Sequence, residues 1–582
     1  MSLSVLELKE LKQQILNLVY HTVGSASVKA VSLLDIYPTR IENCRAVLEV
    51  VAVVKGFRPK LLSFVKFLNG RNVIIFVVDQ WVFERDIDRG FLGEAVASKL
   101  VFPYTSLHGE CYLYVQELIL KKRLILESIE NLSIDYPELI YHMQIKPHFF
   151  LYEVLLKLLR ISPLIDYEIF DMLKGNILKD EERELKSYND ALLQLETKKL
   201  VTHINGYFVV SKEFVLQSQK PKIWFTNVIK NAPRTLFTSI FGLFPKILNI
   251  TVQNTQAFLK TQKLNLHVPQ TTFTSNNYVI DPLKYIFVPT SKGPVSLADK
   301  VNSSQFAKQM FPNEKPENLT VTAIGGVLND IYLLKAQVNN VEHKVIVKRF
   351  KDWSGFKWFP LTLWSFGARA FTVSGKARLA KECATSEFLR LRGFNVPKIL
   401  YVSNPERLVF MEFIDGTDLS HLIKRLDAEP QKAKNSPDLV HIETVGKLFA
   451  NLHHYGMTLG DTKPENVMIS KDNALYLLDF EQATQDGDKT WDIAEFLYYA
   501  GHYLQPFPNN GIAEIITETF INGYLQGGGD FKTIKKAKSP KYTRVFSVFT
   551  MPPILLAITN TITKTNKTPN NNNKSSNKID SQ

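Results

Sequence analysis

The feature that most constrains the fold of this chain is a helix, a loop and a hairpin that follow one another late in the sequence. Apolar residues recur at helical spacing over residues 442–454, which predicts a buried helix. Residues 456–466 predict a loop that leaves this helix. Two short apolar runs, 467–469 and 474–478, flank a polar turn and predict a hairpin. Asp479 follows the second run, so the hairpin would place this carboxylate at a strand end.

These two segments carry the groups that phosphoryl transfer from ATP requires. That reaction needs a carboxylate to orient the acceptor hydroxyl, a cation near the γ-phosphate, and an amide plus a second carboxylate to hold magnesium. The loop supplies Asp461, Lys463 and Asn466, and Asp479 is the second carboxylate. The sequence therefore predicts a site for ATP and Mg²⁺. A solvated loop with chance acidic residues is the alternative interpretation.

The same segments resemble the catalytic loop and the metal-binding loop of the protein-kinase-like superfamily. The resemblance implies that Asp461 is the catalytic base and that Lys463 contacts the γ-phosphate. It also implies that Asn466 and Asp479 are the magnesium ligands. Asp492 lies in a segment that resembles the superfamily's helix start, whose aspartate supports the catalytic loop through its backbone. An ordinary N-terminal helix carboxylate is the alternative for Asp492.

A candidate phosphate-binding lysine lies upstream, at the end of a predicted strand. Residues 345–347 are β-branched, and Lys348 follows them. This run resembles the superfamily strand whose lysine pairs the α- and β-phosphates of ATP. Lys344 and Lys351 are the alternative candidates.

The glutamate partner of this lysine is expected in the next helix. Residues 374–391 carry apolar positions among charges, and Gly393 lies just past their end, so they predict a helix with a glycine stop. In the atypical kinases the partner glutamate sits in a similar helix before a G-x-x-V-P segment, which residues 393–397 match. We therefore prefer Glu382 over Glu387.

A hinge and a glycine pair complete the candidate contacts to ATP. Met411, Glu412 and Phe413 lie in a segment that resembles the strand and hinge that hold adenine through backbone groups. Gly325 and Gly326 resemble the phosphate cover, where glycine lets backbone amides approach phosphates. The segment lacks the full G-x-G-x-x-G pattern, and a plain hairpin turn is the alternative.

Departures from conventional protein kinases resemble the atypical branch. Leucine and glycine precede Asp461 where those enzymes carry histidine and arginine, and Glu481 replaces the glycine after the aspartate and phenylalanine of the metal loop. Only twelve residues separate Asp479 from Asp492, too few for a long activation segment. These features resemble the RIO kinases, the small archaeal kinase of the tRNA-threonylcarbamoyl complex, and the aminoglycoside and choline kinases. Lys463, in contrast, is typical of serine/threonine protein kinases.

The resemblance covers roughly residues 320–530 and leaves three functions open. The first is an ATP-dependent kinase that phosphorylates a protein serine or threonine hydroxyl, as Lys463 suggests. The second is a kinase for a small hydroxylated molecule or a lipid headgroup, which Glu481 and the short segment before Asp492 favour. The third is a nucleotide-binding scaffold that recruits nucleic acid and catalyses little. ATP and Mg²⁺ are the implied cofactors of the first two.

Composition predicts a cytoplasmic, multidomain protein. The 582 residues are enough for about three to four domains. The three cysteines are odd in number and widely separated, so neither a disulfide framework nor a zinc cluster is expected. The net charge of +13 points to acidic partners such as nucleic acid or anionic membrane. Apolar residues 236–250 and 546–558 are too short to span a bilayer, so we expect no transmembrane segment and at most peripheral membrane contact.

Two domains are expected ahead of the kinase-like one. The first faintly resembles a degenerate nucleotidyltransferase, with two strands at 47–54 and 73–78 and a helix between them. Its carboxylates Asp35, Glu49 and Asp79 are scattered, so an active second enzyme is not expected. The next domain, three helices and a hairpin, resembles a winged helix that would dock a protein or contact nucleic acid.

The predicted fold class is therefore multidomain α+β with a bilobal C-terminal domain. Its predicted parts are an α/β domain at 1–144, a winged-helix-like domain at 145–216, a connecting region at 217–319, a protein-kinase-like domain at 320–560 and a disordered polar tail at 561–582.

Overall fold

The computed structural model describes most of the chain, which divides into two compact units. One unit comprises Met1–Pro289 with Ser296–Ala298, and the other comprises Thr290–Val295 with Asp299–Gln582. No helix among the described residues is both long and apolar enough to cross a bilayer. The described residues are 5–34, 47–58, 60–68, 71–92, 94, 96–136, 138–161, 177–214, 281–310, 319–325, 329–338, 341–352, 372, 374–505 and 511–565.

The first unit begins with a mixed five-stranded sheet. Its strand order is β3-β4-β2-β1-β5, with β2 and β4 parallel and the other neighbours antiparallel. Buried Ile15 and Val19 of α1 pack in the same apolar core as Val50 and Val77 of the sheet. The elements are α1 Val5–Val23, β1 Val28–Leu34, β2 Val47–Val54, β3 Leu61–Leu68, β4 Arg71–Asp79, α2 Gln80–Arg89, β5 Tyr104–His108 and α3 Glu110–Asp135.

The helix expected between the strands of this sheet is wrong, because the chain there forms strand β3. Residues 61, 64, 65 and 68 are apolar and fit a helical spacing as well as they fit a strand. In the structure β3 pairs antiparallel with β4 over its whole length, from Leu61 opposite Val78 to Leu68 opposite Arg71. The ladder of backbone hydrogen bonds to a buried neighbour therefore decides the conformation.

The scattered carboxylates of this sheet have structural partners. Glu49 accepts a hydrogen bond from the ammonium group of Lys99 at 2.7 Å, and both side chains are buried. Asp79 caps α2 by accepting from the backbone N–H of Trp81 at 3.1 Å. Asp35 lies outside the described residues. The likeness to a nucleotidyltransferase stays a prediction.

The region predicted as a winged helix contains two described helices and a hairpin. The turn residues Asn205 and Gly206 have φ values of 50° and 82°, as a two-residue hairpin turn with two left-handed positions requires. The second of the three helices expected here corresponds to the apolar run at 167–173, which lies outside the described residues, so the winged helix stays a prediction. The elements are β6 Gln144–Ile145, α4 Pro147–Ile161, α5 Ile177–Thr197, β7 Val201–Ile204, β8 Tyr207–Val210 and β9 Ile286–Thr290.

A buried lysine of α3 forms an ion pair with α5, the predicted third helix of the winged-helix-like region. Lys121 of α3 is fully buried and lies 2.9 Å from Glu117 and 2.5 Å from Glu184 of α5. Burial alone would lower the pKa of Lys121, but the two carboxylates outweigh it and raise that pKa. Glu184 therefore serves in packing within this unit, away from solvent.

The second unit starts with an antiparallel five-stranded sheet in the order β11-β12-β13-β15-β14. Leu334, Val347 and Phe410 form its apolar core. Helix α7 follows the first three strands of this sheet in the chain. The elements are β10 Gly293–Ser296, α6 Ser303–Met310, β11 Leu319–Gly325, β12 Asp330–Val338, β13 Val341–Arg349, α7 Gly375–Arg390, β14 Ile399–Ser403 and β15 Leu408–Glu412.

A helical part follows, and its core is the larger of the two in this unit. Helices α10 and α12 cross closely at glycines, since a Cβ on Gly446 would lie 2.3 Å from the carbonyl oxygen of Phe520. The elements are β16 Gly416–Asp418, α8 Leu419–Ala428, α9 Pro430–Ala433, α10 Leu439–His454, β17 Met457–Thr458, β18 Val467–Ser470, β19 Leu475–Leu477, β20 Thr484–Gln485, α11 Lys489–His502, α12 Ile512–Gln526, α13 Phe531–Lys536, α14 Pro540–Phe546 and α15 Pro552–Lys564.

The predicted helix, loop and hairpin are all present in this part. Helix α10 is followed by the loop and then by β18 and β19, which pair with Val467 opposite Leu477. Asn473 in the turn has a φ of 60°, which the short polar side chain of asparagine tolerates. The apolar segment 236–250 and residues 566–582 of the tail predicted over 561–582 lie outside the described residues, whereas residues 561–564 are not disordered but belong to helix α15.

Candidate active site

Lys348 lies at the centre of a buried group of carboxylates. Its ammonium nitrogen is 2.7 Å from Asp479 Oδ1, 3.1 Å from Glu382 Oε2 and 3.5 Å from Glu481 Oε2. The side chain comes from strand β13, on the face opposite to Val347, which packs in the core. Burial alone would lower the pKa of Lys348, but the three carboxylates outweigh it and raise the pKa well above its ordinary value. Lys348 is therefore a permanent cation in this site.

The two alternative lysines lie elsewhere. Lys344 pairs with Glu342 at 3.0 Å, within the same strand. Lys351 pairs with Asp330 at 2.6 Å, and its side chain is 55% exposed. Each of these lysines is thus paired with a carboxylate outside the group around Lys348.

Helix α7 supplies Glu382 to the buried group. Its Oε2 accepts hydrogen bonds from Lys348 and, at 3.0 Å, from the backbone N–H of Phe480. Glu382 thus joins strand β13 to the loop after the hairpin. Burial raises the pKa of Glu382 to about 7, although Lys348 opposes that shift. Glu387 points away and pairs with Arg390 on the same helix at 2.8 Å.

Asp479 is the most exposed carboxylate around Lys348. Its side chain is 27% exposed, against 2% for Glu382 and 5% for Glu481. Its backbone has a φ of 60°, a left-handed conformation that non-glycine residues rarely adopt. Desolvation raises the pKa of Asp479, but the neighbouring Lys348 outweighs it, so the pKa lies below its ordinary value. Asp479 is therefore ionised at neutral pH.

The loop between α10 and the hairpin holds the second carboxylate. Asp461 Oδ1 lies 3.0 Å from the ammonium nitrogen of Lys463. Asn466 donates its side-chain N–H to the carbonyl of Asp461 at 2.9 Å, which leaves the amide oxygen of Asn466 available as a ligand. The carbonyl of Asn466 accepts from the backbone N–H of Leu478 at 2.9 Å. The bond from Leu478 joins the loop to the segment between β19 and Asp479.

The charge of Lys463 is maintained by its neighbours. Burial alone would lower the pKa of Lys463, but Asp461 and Glu495 outweigh it and raise that pKa. The ammonium group also lies 5.3 Å from the centre of the Tyr499 ring. The loop thus presents a carboxylate and a cation side by side.

Two buried carboxylates of α11 accept hydrogen bonds from the backbone of the loop that carries Asp461. Asp492 accepts hydrogen bonds at 2.8 Å from the backbone N–H groups of Leu459 and Gly460, and it is 1% exposed. Glu495, one helical turn later, accepts from the backbone N–H of Thr462 at 2.8 Å. His453 lies 3.2 Å from the carboxylate of Asp492. Charge-assisted bonds to backbone amides fix the loop conformation.

The predicted hinge and Gly325 of the predicted glycine pair lie at the ends of two strands, β15 and β11. Glu412 ends strand β15, opposite Val345 of β13, and Phe413 follows it. Met411, Glu412 and Phe413 are all partly buried. Gly325 ends strand β11 in an exposed position where a Cβ would meet open space. Gly326 lies outside the described residues.

Sequence reasoning missed three residues that complete the buried group. Arg378 lies 2.7 Å from Asn329 Oδ1 and 3.2 Å from Glu481 Oε1, and it is fully buried. Asn329 donates in turn to Glu481 Oε2 at 2.5 Å. The spacing could have identified Arg378, because it precedes Glu382 by four residues and therefore lies on the same face of α7. Glu481 was noted only as a departure from a glycine.

The donor set fits a magnesium ion shared with nucleotide. Among the described residues no group of three or more histidine, cysteine, aspartate or glutamate side chains is arranged to hold a metal. Mg²⁺ bound to nucleotide needs less, because phosphate oxygens and water complete its octahedron around one or two protein oxygens. The amide oxygen of Asn466 and the carboxylate of Asp479, at the two ends of one hairpin, are oxygen ligands of this kind.

Comparison with known proteins identifies this region. Residues 375–501 match the family model described as ABC1 atypical kinase-like domain. The second unit carries an atypical kinase-like domain. The matched segment of this kinase-like domain includes α7, the loop with Asp461, the hairpin and α11, whereas Lys348 and the first strands of the sheet precede it.

Two archaeal proteins are similar to parts of this chain. The KEOPS complex subunit Bud32 of Pyrococcus abyssi is 29% identical over 111 residues, which are 19% of this chain and 47% of that protein. The chain therefore spans about half the length of that relative. The probable serine/threonine-protein kinase BUD32 homolog of Archaeoglobus fulgidus is 28% identical over 167 residues, which are 28% of this chain and 83% of that protein.

Proposed function

We propose that this protein is a phosphotransferase that depends on ATP and Mg²⁺ and phosphorylates a serine or threonine hydroxyl of a protein. One observation carries the proposal: Lys348 is held between Glu382 and Asp479, while a second carboxylate and cation, Asp461 and Lys463, lie on the loop tied to the same hairpin. The name of the second archaeal relative, a probable serine/threonine-protein kinase, supports the substrate class.

Each of these side chains has a role in the proposed reaction. Lys348 pairs with the α- and β-phosphates while Glu382 holds its ammonium group in place. The amide oxygen of Asn466 and the carboxylate of Asp479 would hold Mg²⁺, which would supply positive charge to neutralise the phosphate groups. The buried position of Lys348 fixes it before nucleotide arrives, so little conformational entropy is lost on binding.

The loop residues act on the acceptor. Asp461 accepts the proton of the acceptor hydroxyl while the hydroxyl oxygen forms a bond to the γ-phosphorus. The bond between the γ-phosphorus and the oxygen that bridges it to the β-phosphorus breaks, and ADP leaves. Lys463, 3.0 Å from Asp461, stabilises the negative charge on the transferred group. Asp492 and Glu495 keep the loop in the conformation that this step needs.

A small hydroxylated acceptor is the second candidate. The chain between Asp479 and α11 is short and partly fixed by the pairing of β17 with β20, in which Met457 lies opposite Gln485. This segment leaves little chain to build a docking platform for a polypeptide. The same active-site residues would then phosphorylate a small molecule or a lipid headgroup.

Labelled ATP separates these possibilities. We expect the full chain to transfer label to protein when it is incubated with a protein extract and Mg²⁺, whereas label in the metabolite fraction would favour the small acceptor. Nucleotide binding without transfer to either would favour a scaffold.

Two variants test the assigned roles. Asp479→Ala should abolish nucleotide binding that depends on Mg²⁺, and Asp461→Asn should keep binding and lose transfer. Asp472→Asn, in the exposed turn of the same hairpin, is the matched control and should retain both. Transfer that persists in both active-site variants would reject the assignment.

A further inference from the structure

Four large apolar side chains that are close together in the sequence are exposed near the end of the described chain. Val548, Phe549, Met551 and Leu556 are 64%, 38%, 49% and 58% exposed, and we call them the C-terminal patch. The first three lie between α14 and α15, and Leu556 lies on α15. The opposite face of α15 is buried, with Ile554 in the core. The patch is therefore additional to the apolar surface that the core already uses.

The segment that carries the C-terminal patch is basic. Residues 531–565 contain seven lysines and arginines and no aspartate or glutamate. Lys541 is neutralised by Asp488 at 2.8 Å. Lys538 donates to Thr563 Oγ1 at 2.9 Å, which brings the basic segment against the helix that carries Leu556. Five further cations of the segment are exposed: Lys532, Lys535, Lys536, Arg544 and Lys564.

The C-terminal patch is continuous with the candidate active site. The ring of Phe549 stacks on Tyr499 with 5.5 Å between centroids. Tyr499 in turn lies 5.3 Å from the ammonium nitrogen of Lys463. His502 Nδ1 lies 2.8 Å from the carbonyl oxygen of Phe549 and fixes the connection after α14. Whatever binds the patch therefore lies beside the loop that carries Asp461.

We propose that the C-terminal patch binds the surface of an anionic lipid bilayer. Apolar side chains gain by entering the boundary between headgroups and acyl chains. Lysine and arginine beside them gain from anionic headgroups. Nucleic acid would attract the same cations, but phosphates offer nothing to Val548, Met551 and Leu556. The combination of exposed apolar and basic groups therefore fits a lipid surface best, and binding there does not require phosphotransfer.

Sedimentation with vesicles tests the apolar part of the proposal. The full chain is mixed with vesicles of phosphatidylcholine alone, or of phosphatidylcholine with phosphatidylglycerol. We expect binding to the anionic vesicles, and we expect the triple variant Val548→Ser, Met551→Ser, Leu556→Ser to weaken it at least about tenfold. These side chains are exposed, so the fold should persist. Val440→Ser, which changes an exposed valine (62%) on α10, is the matched control and should bind as the wild type does.

A second pair of measurements tests charge and insertion. The double variant Lys535→Glu, Lys536→Glu should weaken binding to anionic vesicles by at least about tenfold, because each lysine near such a surface contributes about 1 kcal/mol. In Met551→Trp the indole fluorescence should shift to shorter wavelength when anionic vesicles are added. An unchanged spectrum in the presence of bound vesicles would show that the patch does not enter the bilayer and would overturn the proposal.

Other outcomes would also overturn it. Equal sedimentation with both kinds of vesicle, or none, removes the role of anionic lipid. Full binding by the triple serine variant shows that the patch is not the contact. A wild-type dimer in solution that the serine variant dissociates assigns the patch to a second copy of the chain, and binding of polyglutamate with the same dependence on the serines assigns it to an acidic protein.

Discussion

Replacing Glu481 by glutamine should loosen the attachment of α7 to the metal-binding loop. Glu481 lies 3.2 Å from fully buried Arg378 and accepts a hydrogen bond from Asn329 at 2.5 Å. Removing one partner of a buried ion pair costs about 3–5 kcal/mol. Arg378 keeps its hydrogen bond to Asn329 at 2.7 Å, and glutamine keeps one acceptor oxygen, so we expect the lower end, about 3 kcal/mol.

Hydrogen exchange measured by mass spectrometry is the appropriate assay. A chain with two compact units need not unfold in one step, so a global midpoint would mix several transitions. Peptides from α7 report its local opening, and about 3 kcal/mol corresponds to roughly a hundredfold faster exchange. Glu387→Gln on the same helix is the matched control. Its partner Arg390 is 49% exposed, so the change should cost at most about 1 kcal/mol.

A double-mutant cycle isolates the pair. Arg378→Met alone leaves the carboxylate of Glu481 buried without this cation and should also speed exchange. The combined variant should be less destabilised than the sum of the two single variants, with a coupling of about 2–3 kcal/mol. Additive effects of the two single variants would show that Arg378 and Glu481 do not stabilise α7 as a pair. The same conclusion would follow if Glu481→Gln changed the exchange of α7 no more than Glu387→Gln does.

Three further changes test the same site. Burial raises the pKa of Glu382 from 4.5 to about 7, so the folded state binds this proton more tightly than the unfolded state does. The free energy of unfolding of the wild type should therefore fall, relative to that of Glu382→Gln, as pH rises from 4.5 to about 7. Chemical denaturation of both proteins at several pH values measures this difference. Asp492→Asn removes one charged acceptor from the amides of Leu459 and Gly460, and should cost about 1–3 kcal/mol by hydrogen exchange and lower kcat. Lys463→Ala should lower kcat about a hundredfold while calorimetry shows unchanged nucleotide affinity.

Local structure near the candidate site follows from the sequence because its determinants are close together in the chain. The helix before residue 456, the loop and the hairpin each depend on neighbours within about 15 residues. Asn473 favours the left-handed turn, and Asp479 is then placed by the strand it follows. The positions of the polar residues in the loop could therefore be predicted from the sequence. The catalytic roles of these residues stay predictions.

The buried ion network could not be predicted in the same way. Glu481 is 103 residues from Arg378 and 152 residues from Asn329, and only tertiary packing brings them together. A glutamate in a polar loop more often faces solvent than a buried arginine. The helix expected between β2 and β4 was wrong for a related reason. The spacing of apolar residues there fits a helix and a strand, and the pairing with β4 selects the strand β3.

Burial separates the roles of the three carboxylates around Lys348. Together with Arg378 the group holds two cations and three carboxylates, so when all three carboxylates are ionised its formal charge is −1 and it favours an added cation. Glu382 and Glu481 are 2% and 5% exposed and are occupied by buried donors, so neither can reach a hydrated ion. Asp479 is 27% exposed and follows the hairpin that begins next to Asn466. Because Mg²⁺ keeps several of its waters when it binds, only the carboxylate that reaches solvent can take it. This difference in burial supports the proposal that Asp479 is the metal ligand, while Glu382 pairs with Lys348 and Glu481 pairs with Arg378.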